Sequence, residues 1–288
     1  MSEVAWKPEQ NTGLALAWTA GTLTSMLMMG ISGRELSAEL QPHHSAFYRN
    51  AICLLILLPV VLRFGVQRFR TQHLKRHVAR NTVHFFAQWC WLFGLSALPL
   101  AEVFAIEFSV PIWVALFATV FLGERLTGWR ALAIGLGFAG ILVILRPGMD
   151  IVHPAALMVL LAAVGYASAY VFTKNLVGVD DALTVVWWMN VVQLPIGLTL
   201  SATDLVFPSP PLIPWMIVIG VCGFTSHFCL SQALRHADAT IIAQLDFLRL
   251  PLAAIIAWFA YNEAVDMFLA IGAAFILLGN WINLKKGT

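Results

Sequence analysis

Ten stretches of this 288-residue chain are apolar over about the length that crosses a lipid bilayer. A hydrocarbon core about 30 Å thick requires roughly 20 apolar residues per helix, and the runs fall at 14–33, 43–62, 81–98, 101–122, 129–145, 154–173, 183–201, 212–232, 240–259 and 264–284. They predict an all-α integral membrane protein with ten transmembrane helices. Composition agrees, with 60% hydrophobic and 11% charged residues against roughly 45–50% and about 25% in a globular domain. The first run is too long, and lacks the strongly basic leader, for a secretory signal, so it is expected to stay as a span.

The runs are organised by a repeat. Residues 107–148 recur 139 positions later as 246–287, pairing Glu107 with Asp246, Glu124 with Glu263, Gly140 with Gly279, Arg146 with Lys285 and Gly148 with Gly287; Pro111 and Pro251 fall one residue out of step. Five runs lie in each half, which predicts two units, 1–148 and 149–288. With the amino terminus inside, Lys7, Arg63, Arg68, Arg70, Lys75, Arg76, Arg80, Arg125, Arg130, Lys174, Arg235, Lys285 and Lys286 are cytoplasmic, and only Arg34 and Arg146 lie outside. That bias is the signature of a multi-pass inner-membrane protein with both termini in the cytoplasm. Because five is odd, the second half runs through the membrane upside down. Such inverted halves place a substrate site at the bilayer midplane in secondary transporters.

Smaller signals constrain less. Cys53, Cys90, Cys222 and Cys229 lie inside spans without ligand spacing and read as packing residues rather than disulfides or a metal site. The basic segment 63–80, with His73 and His77, reads as a short helix on the anionic inner leaflet. Gly135, Gly137, Gly140, Gly272 and Gly279 allow close packing of the fifth and tenth spans, within the protein or across a dimer. Pro111 and Pro251 bend the fourth and ninth spans.

The segment from Pro111 through Gly123-Glu124-Arg125-Leu126, the run Gly140-Ile-Leu-Val-Ile-Leu145, Phe47-Tyr48-Arg49, Ala97-Leu98 and Ala233-Leu234 together resemble the drug/metabolite transporter superfamily of EamA type. The resemblance covers both halves. The second copy departs from it where Asn262 replaces the usual Gly and the interval Pro251–Glu263 is one residue short. What the resemblance implies is two inverted five-helix bundles around a central cavity and export of small metabolites, with YddG-like amino-acid exporters as the comparison. It also implies no nucleotide and no prosthetic group.

Ionisable residues inside spans are costly and point to function. Here they are Arg49, Glu102, Glu107, Asp246, Arg249, His84 and His227. The plain structural reading pairs Asp246 with Arg249 and Glu107 with Arg49; the functional one has a cation and an anion hold the two ends of a zwitterion. His84, Gln88 and Trp91 form one helical stripe, Tyr166 and Tyr170 a second, His227 and Ser231 a third. The candidate substrate-binding set is thus Arg49, His84, Gln88, Trp91, Glu107, Tyr166, Tyr170, His227, Ser231 and Asp246, with no metal or cofactor.

These features predict a secondary carrier, not an enzyme, that exports small metabolites, amino acids foremost, by alternating access. Its partners are a small-molecule substrate and the bilayer, without nucleic acid, as monomer or homodimer. A nucleotide-like or cationic drug-like solute is the alternative cargo; a channel or a membrane enzyme is the alternative class. The topology is tested with Gln72→Cys in a cysteine-free background: a membrane-impermeant thiol reagent should label it only after the inner face is exposed, and labelling from outside would overturn the orientation.

Overall fold

The computed structural model describes residues 11–122, 127–146, 153–174, 176, 180–236, 248–264 and 266–286. Among them all regular structure is helical: α1 Thr12–Leu36, α2 Pro42–Phe64, α3 Leu74–Ala97, α4 Leu100–Glu107, α5 Val110–Leu122, α6 Gly128–Leu145, α7 Pro154–Lys174, α8 Ala182–Ser201, α9 Ile213–His236, α10 Arg249–Tyr261 and α11 Met267–Lys286, with 3-10 turns at Val66–Phe69 and Pro210–Leu212. Six segments are long and apolar enough to cross a membrane, and three shorter apolar helices, Pro154–Ala169, Arg249–Tyr261 and Met267–Asn283, accompany them. Leu62, Phe259 and Met267 are 78%, 76% and 73% exposed, an outer surface suited to lipid rather than water.

Two expected elements take another form. The third run begins earlier, at Leu74, because the basic residues wind into the same helix: Lys75 and Arg76 are exposed while His77 and Arg80 turn inward. The segment 63–80 is therefore a 3-10 turn followed by the first turns of α3, not a separate surface helix. The fourth run is two helices, broken at Phe108–Ser109. Pro111 explains the break, since it has no N–H for the Glu107 carbonyl four residues back. The Ile112 N–H turns to the Ser109 carbonyl at 2.9 Å, and the buried Phe108 carbonyl accepts from the fully buried Asn280 of α11, whose Nδ2 donates at 2.8 Å. For the ninth run the described part is α10; positions 240–247 lie outside the described residues.

The long helices pack as antiparallel pairs. Along α1 and α9, the Asn11 N–H donates to the His236 carbonyl (3.1 Å) and Ser25 meets Thr225 (2.7 Å). A Cβ on Gly197 of α8 would sit 3.2 Å from the Cα of Phe47 on α2, while Arg49 reaches Gln193 one turn away. Gly94 and Gly165 give α3 and α7 close contacts with Val159 and Ala87.

In the α6–α11 pair, backbone faces backbone at the glycines. A Cβ on Gly140 would come within 2.6 Å of the Gly272 carbonyl oxygen, and one on Gly279 within 2.7 Å of the Ala133 carbonyl oxygen. The repeat offset carries Gly140 to Gly279 and Ala133 to Gly272, so it exchanges these two contacts. The glycines thus pack within the chain.

Polar ties gather at two ends. At the end assigned to the outside, Arg34 donates to Glu263 (2.6 Å) and to the Leu98 carbonyl, Glu263 accepts from the Leu100 N–H (2.7 Å), and Tyr261 donates to Glu35 (2.8 Å). Arg146 pairs there with Asp266. At the opposite end Arg68 pairs with Asp181, His77 contacts Asp180 at 2.9 Å, and the Trp188 indole donates to the Phe69 carbonyl at 2.8 Å. Burial alone would raise the Asp181 carboxyl, but the Thr184 N–H and the Arg68 guanidinium hold it below its ordinary value.

Because backbone oxygen, not a yielding side chain, faces Gly140 and Gly272, Gly140→Leu and Gly272→Leu should each destabilise the fold by about 1–3 kcal/mol. Gly135, with open space around its Cβ position, is the control. Thermal unfolding of the detergent-solubilised protein should show lowered midpoints for the first two and none for Gly135→Leu.

Candidate functional site

His84, Gln88 and Trp91, the predicted stripe, share one buried face of α3, at 8%, 1% and 2% exposure. The His84 ring lies 5.3 Å from that of Tyr166 on α7 and 5.7 Å from that of His227 on α9, centroid to centroid. Its Nδ1 is 3.0 Å from Nε2 of Gln193 on α8. Gln193 also donates to the Asn81 carbonyl (3.0 Å) and accepts from Arg49 (2.8 Å).

Arg49 is the most unusual member. It is 1% exposed, yet among the described residues its hydrogen-bond partners are the amide oxygens of Asn50 (2.9 Å) and Gln193 (2.8 Å), and no carboxylate. Its Nε has no partner among those residues. Space for the side chain comes from α9, where a Cβ on Gly223 would lie 2.9 Å from Cγ and 3.3 Å from Nη1 of Arg49.

A second cluster forms at the other end of the stripe. The Trp91 indole donates to Glu107 Oε2 at 2.8 Å, and Arg249 donates to Glu107 Oε1 at 3.1 Å. Arg249 also lies over Phe108 and Phe104, its Cζ 5.0 and 5.5 Å from their ring centroids. Glu107 therefore pairs with Arg249 and not with Arg49 as expected: the short helix α4 ends against α10, whereas Arg49 lies between α8 and α9.

Tyr166, whose ring lies beside that of His84, is also within electrostatic reach of Arg49, Glu107 and Arg249, and so stands between the two clusters. Between them sits Gln88, one turn from His84 and one from Trp91. Both polar atoms of its amide are buried and without hydrogen-bond partners among the described residues. A buried unsatisfied polar group costs about 1–3 kcal/mol, and such a group on a buried polar wall is a candidate contact for a polar solute.

Of the remaining predicted residues, Asp246 and the side chains of Tyr170 and Ser231 lie outside the described residues. Ser168, near Tyr166 in sequence, turns back to its own helix, donating to the Val164 carbonyl at 2.9 Å. Sequence reasoning missed Gln193 and Gly223 altogether. Gln193 had a signal, an amide in the middle of an apolar run; Gly223 had none.

Comparison with known proteins follows the same outline. The sequence pattern of the EamA-like transporter family matches residues 13–146 and again 153–284. A riboflavin transporter from Rhizobium johnstonii is 30% identical over 93% of this chain and 89% of its own length. An S-adenosylmethionine uptake transporter from Rickettsia bellii is 26% identical over 92% and 91%, and a pseudopaline exporter from Pseudomonas aeruginosa 27% identical over 93% and 94%. A solved crystal structure of a protein with 16% identity superposes with a TM-score of 0.66 over 95% of this chain and 96% of that one, a shared fold.

The Glu107–Arg249 contact is tested by a double-mutant cycle on unfolding. Glu107→Gln and Arg249→Gln should each destabilise, and the double variant should fall short of their sum by at least about 1 kcal/mol, the coupling expected for contacting residues. Strict additivity would mean that the two side chains do not interact.

Proposed function

The chain belongs to the EamA-like transporter family, and from that premise we propose that it is a secondary carrier exporting small anionic or zwitterionic metabolites, amino acids foremost. The family makes it a small-molecule transporter of the membrane and not an enzyme; the cargo, direction and mechanism are our reading. The observation that carries it is Arg49. A guanidinium buried among neutral amides has lost its hydration, and a carboxylate arriving beside it regains a charge-assisted, bidentate contact.

The zwitterion argument survives with different partners. Glu107 commits its two oxygens to Trp91 and Arg249, so an α-ammonium group would meet the Gln88 carbonyl oxygen and the Tyr166 hydroxyl instead. The rings of His84, Tyr166, His227 and Trp91 would surround the substrate's side chain with few fixed donors, which suits varied side chains. The same wall favours a second reading, a ring-bearing metabolite of the kind for which the Rhizobium and Rickettsia relatives are named.

We read the architecture as two inverted five-helix repeats, 1–148 and 149–288, that rock about this volume. The antiparallel pairs and the exchanged contacts of Gly140–Gly272 and Ala133–Gly279 support that reading. In it, Arg34, Glu263 and Leu100 close the outer end, and release of their contacts opens the site outward.

Transport into proteoliposomes tests the proposal. Counterflow should move labelled amino acids above empty-vesicle background and show trans-acceleration, which a channel lacks. Arg49→Gln should lower flux by about 10- to 100-fold, the equivalent of losing a charged hydrogen bond of about 1.5–3 kcal/mol, with the protein still monodisperse. Gly223→Ala should lower it less, by displacing Arg49. Wild-type flux in Arg49→Gln would overturn the anion site; flux of a flavin or S-adenosylmethionine but of no amino acid would select the second reading.

A further inference from the structure

We propose that His43, His44 and Asp204 form a binding site for a divalent transition metal of the zinc class, at the end of the bundle assigned to the outside and separate from the central volume. Pro42 opens α2 and fixes the geometry of its first turn. The two imidazoles follow directly, their rings 4.2 Å apart and inclined by 60°. Asp204 arrives from the turn after α8.

The distances favour a metal over hydrogen bonds. Both Nε2 atoms converge on one oxygen, Asp204 Oδ1, at 3.5 Å from His43 and 3.4 Å from His44, and the three candidate ligand atoms lie within 4.8 Å of one another. An N–H···O bond closes to about 2.7–3.2 Å. Ligand atoms around a tetrahedral ion with bonds of about 2.0–2.1 Å are spaced by about 3.3–3.4 Å, close to the two nitrogen–oxygen distances of 3.4 and 3.5 Å. His43 Nε2 is moreover buried without a hydrogen-bond partner among the described residues, a nitrogen left for an ion to engage.

The donor set names the class of ion. Two imidazoles and one carboxylate suit Zn²⁺, Co²⁺ or Ni²⁺ over Mg²⁺ or Ca²⁺, which prefer all-oxygen shells. His44 is held inside at 2% side-chain exposure while Asp204 is 52% exposed, so the site has both a rigid wall and an entry path. It is also pre-positioned. The segment bearing Asp204 is fastened to the first half by Ser209, whose N–H and hydroxyl donate to Glu39 at 2.8 and 2.5 Å, and by the Tyr48 hydroxyl on the Val206 carbonyl at 2.9 Å. A bound ion would thus join the start of α2 to the connection between α8 and α9, one ligand set from each half of the chain.

The sequence hid this site because its third ligand lies 160 residues from the histidine pair. The test uses the full chain, purified without a polyhistidine tag, stripped with a chelator and titrated with Co²⁺ by ligand-field absorption and with Zn²⁺ by calorimetry. One equivalent should bind saturably, and His44→Ala and Asp204→Asn should each weaken binding at least about tenfold, while His73→Ala leaves it unchanged. Asp204→Asn, at an exposed turn, keeps the test decisive should His44→Ala fail to fold. Absence of saturable binding to the wild type, or undiminished binding in Asp204→Asn, overturns the proposal. Neither result bears on Arg49 or on the transported substrate.

Discussion

Lipid offers no hydrogen-bond partner, so every polar group that this chain carries into the membrane must find one within the protein or in what the protein binds. That constraint accounts for most of the interior. Arg49 is held by Asn50 and Gln193, and Gln193 in turn by Asn81 and His84, so three helices are fixed around one guanidinium. The carbonyl freed at the break of the fourth span is met by Asn280 from the last helix. Such networks are strong when complete and costly when one member is missing. In this light Gln88 stands out as an amide whose oxygen and nitrogen are both buried and unmatched among the described residues.

Much of the fold was legible because helix spacing and span length are local properties of the chain. The runs, the repeat and the α3 stripe needed no knowledge of neighbours. The start of α3 was misjudged because hydropathy alone cannot see that basic residues continue an apolar helix, and the break at Phe108–Ser109 was anticipated only as a bend at Pro111. Cross-helix partners were harder. Charge and repeat position suggested Glu107 with Arg49, but which helix passes beside α4 is a matter of packing, and α10 brings Arg249 there. Gly223 matters only because of where Arg49 lies, and no pattern within α9 could have indicated it.

The two ends of the bundle differ in what holds them. Toward the assigned outside, Arg34 and Glu263 gather α1, the turn between α3 and α4, and α10 into one knot. Toward the other end, the ties Arg68–Asp181 and His77–Asp180 join the 3-10 turn and α3 to the approach of α8. In the alternating-access reading proposed above such closures must be exchanged, and the partly exposed pairs Arg34–Glu263 and Arg68–Asp181 suit that use because water can replace each partner at little net cost; His77 and Asp180 are buried.

The contacts Gly140–Gly272 and Ala133–Gly279 carry one more implication. A surface in which residue i meets j while the counterpart of j meets the counterpart of i is an isologous interface, the kind that two identical chains form about a twofold axis. In the inverted-repeat reading proposed above, the α6–α11 seam is the contact that a half-length protein would make with an upside-down copy of itself. In that reading, joining the halves in one polypeptide leaves the seam intact and frees each side to diverge.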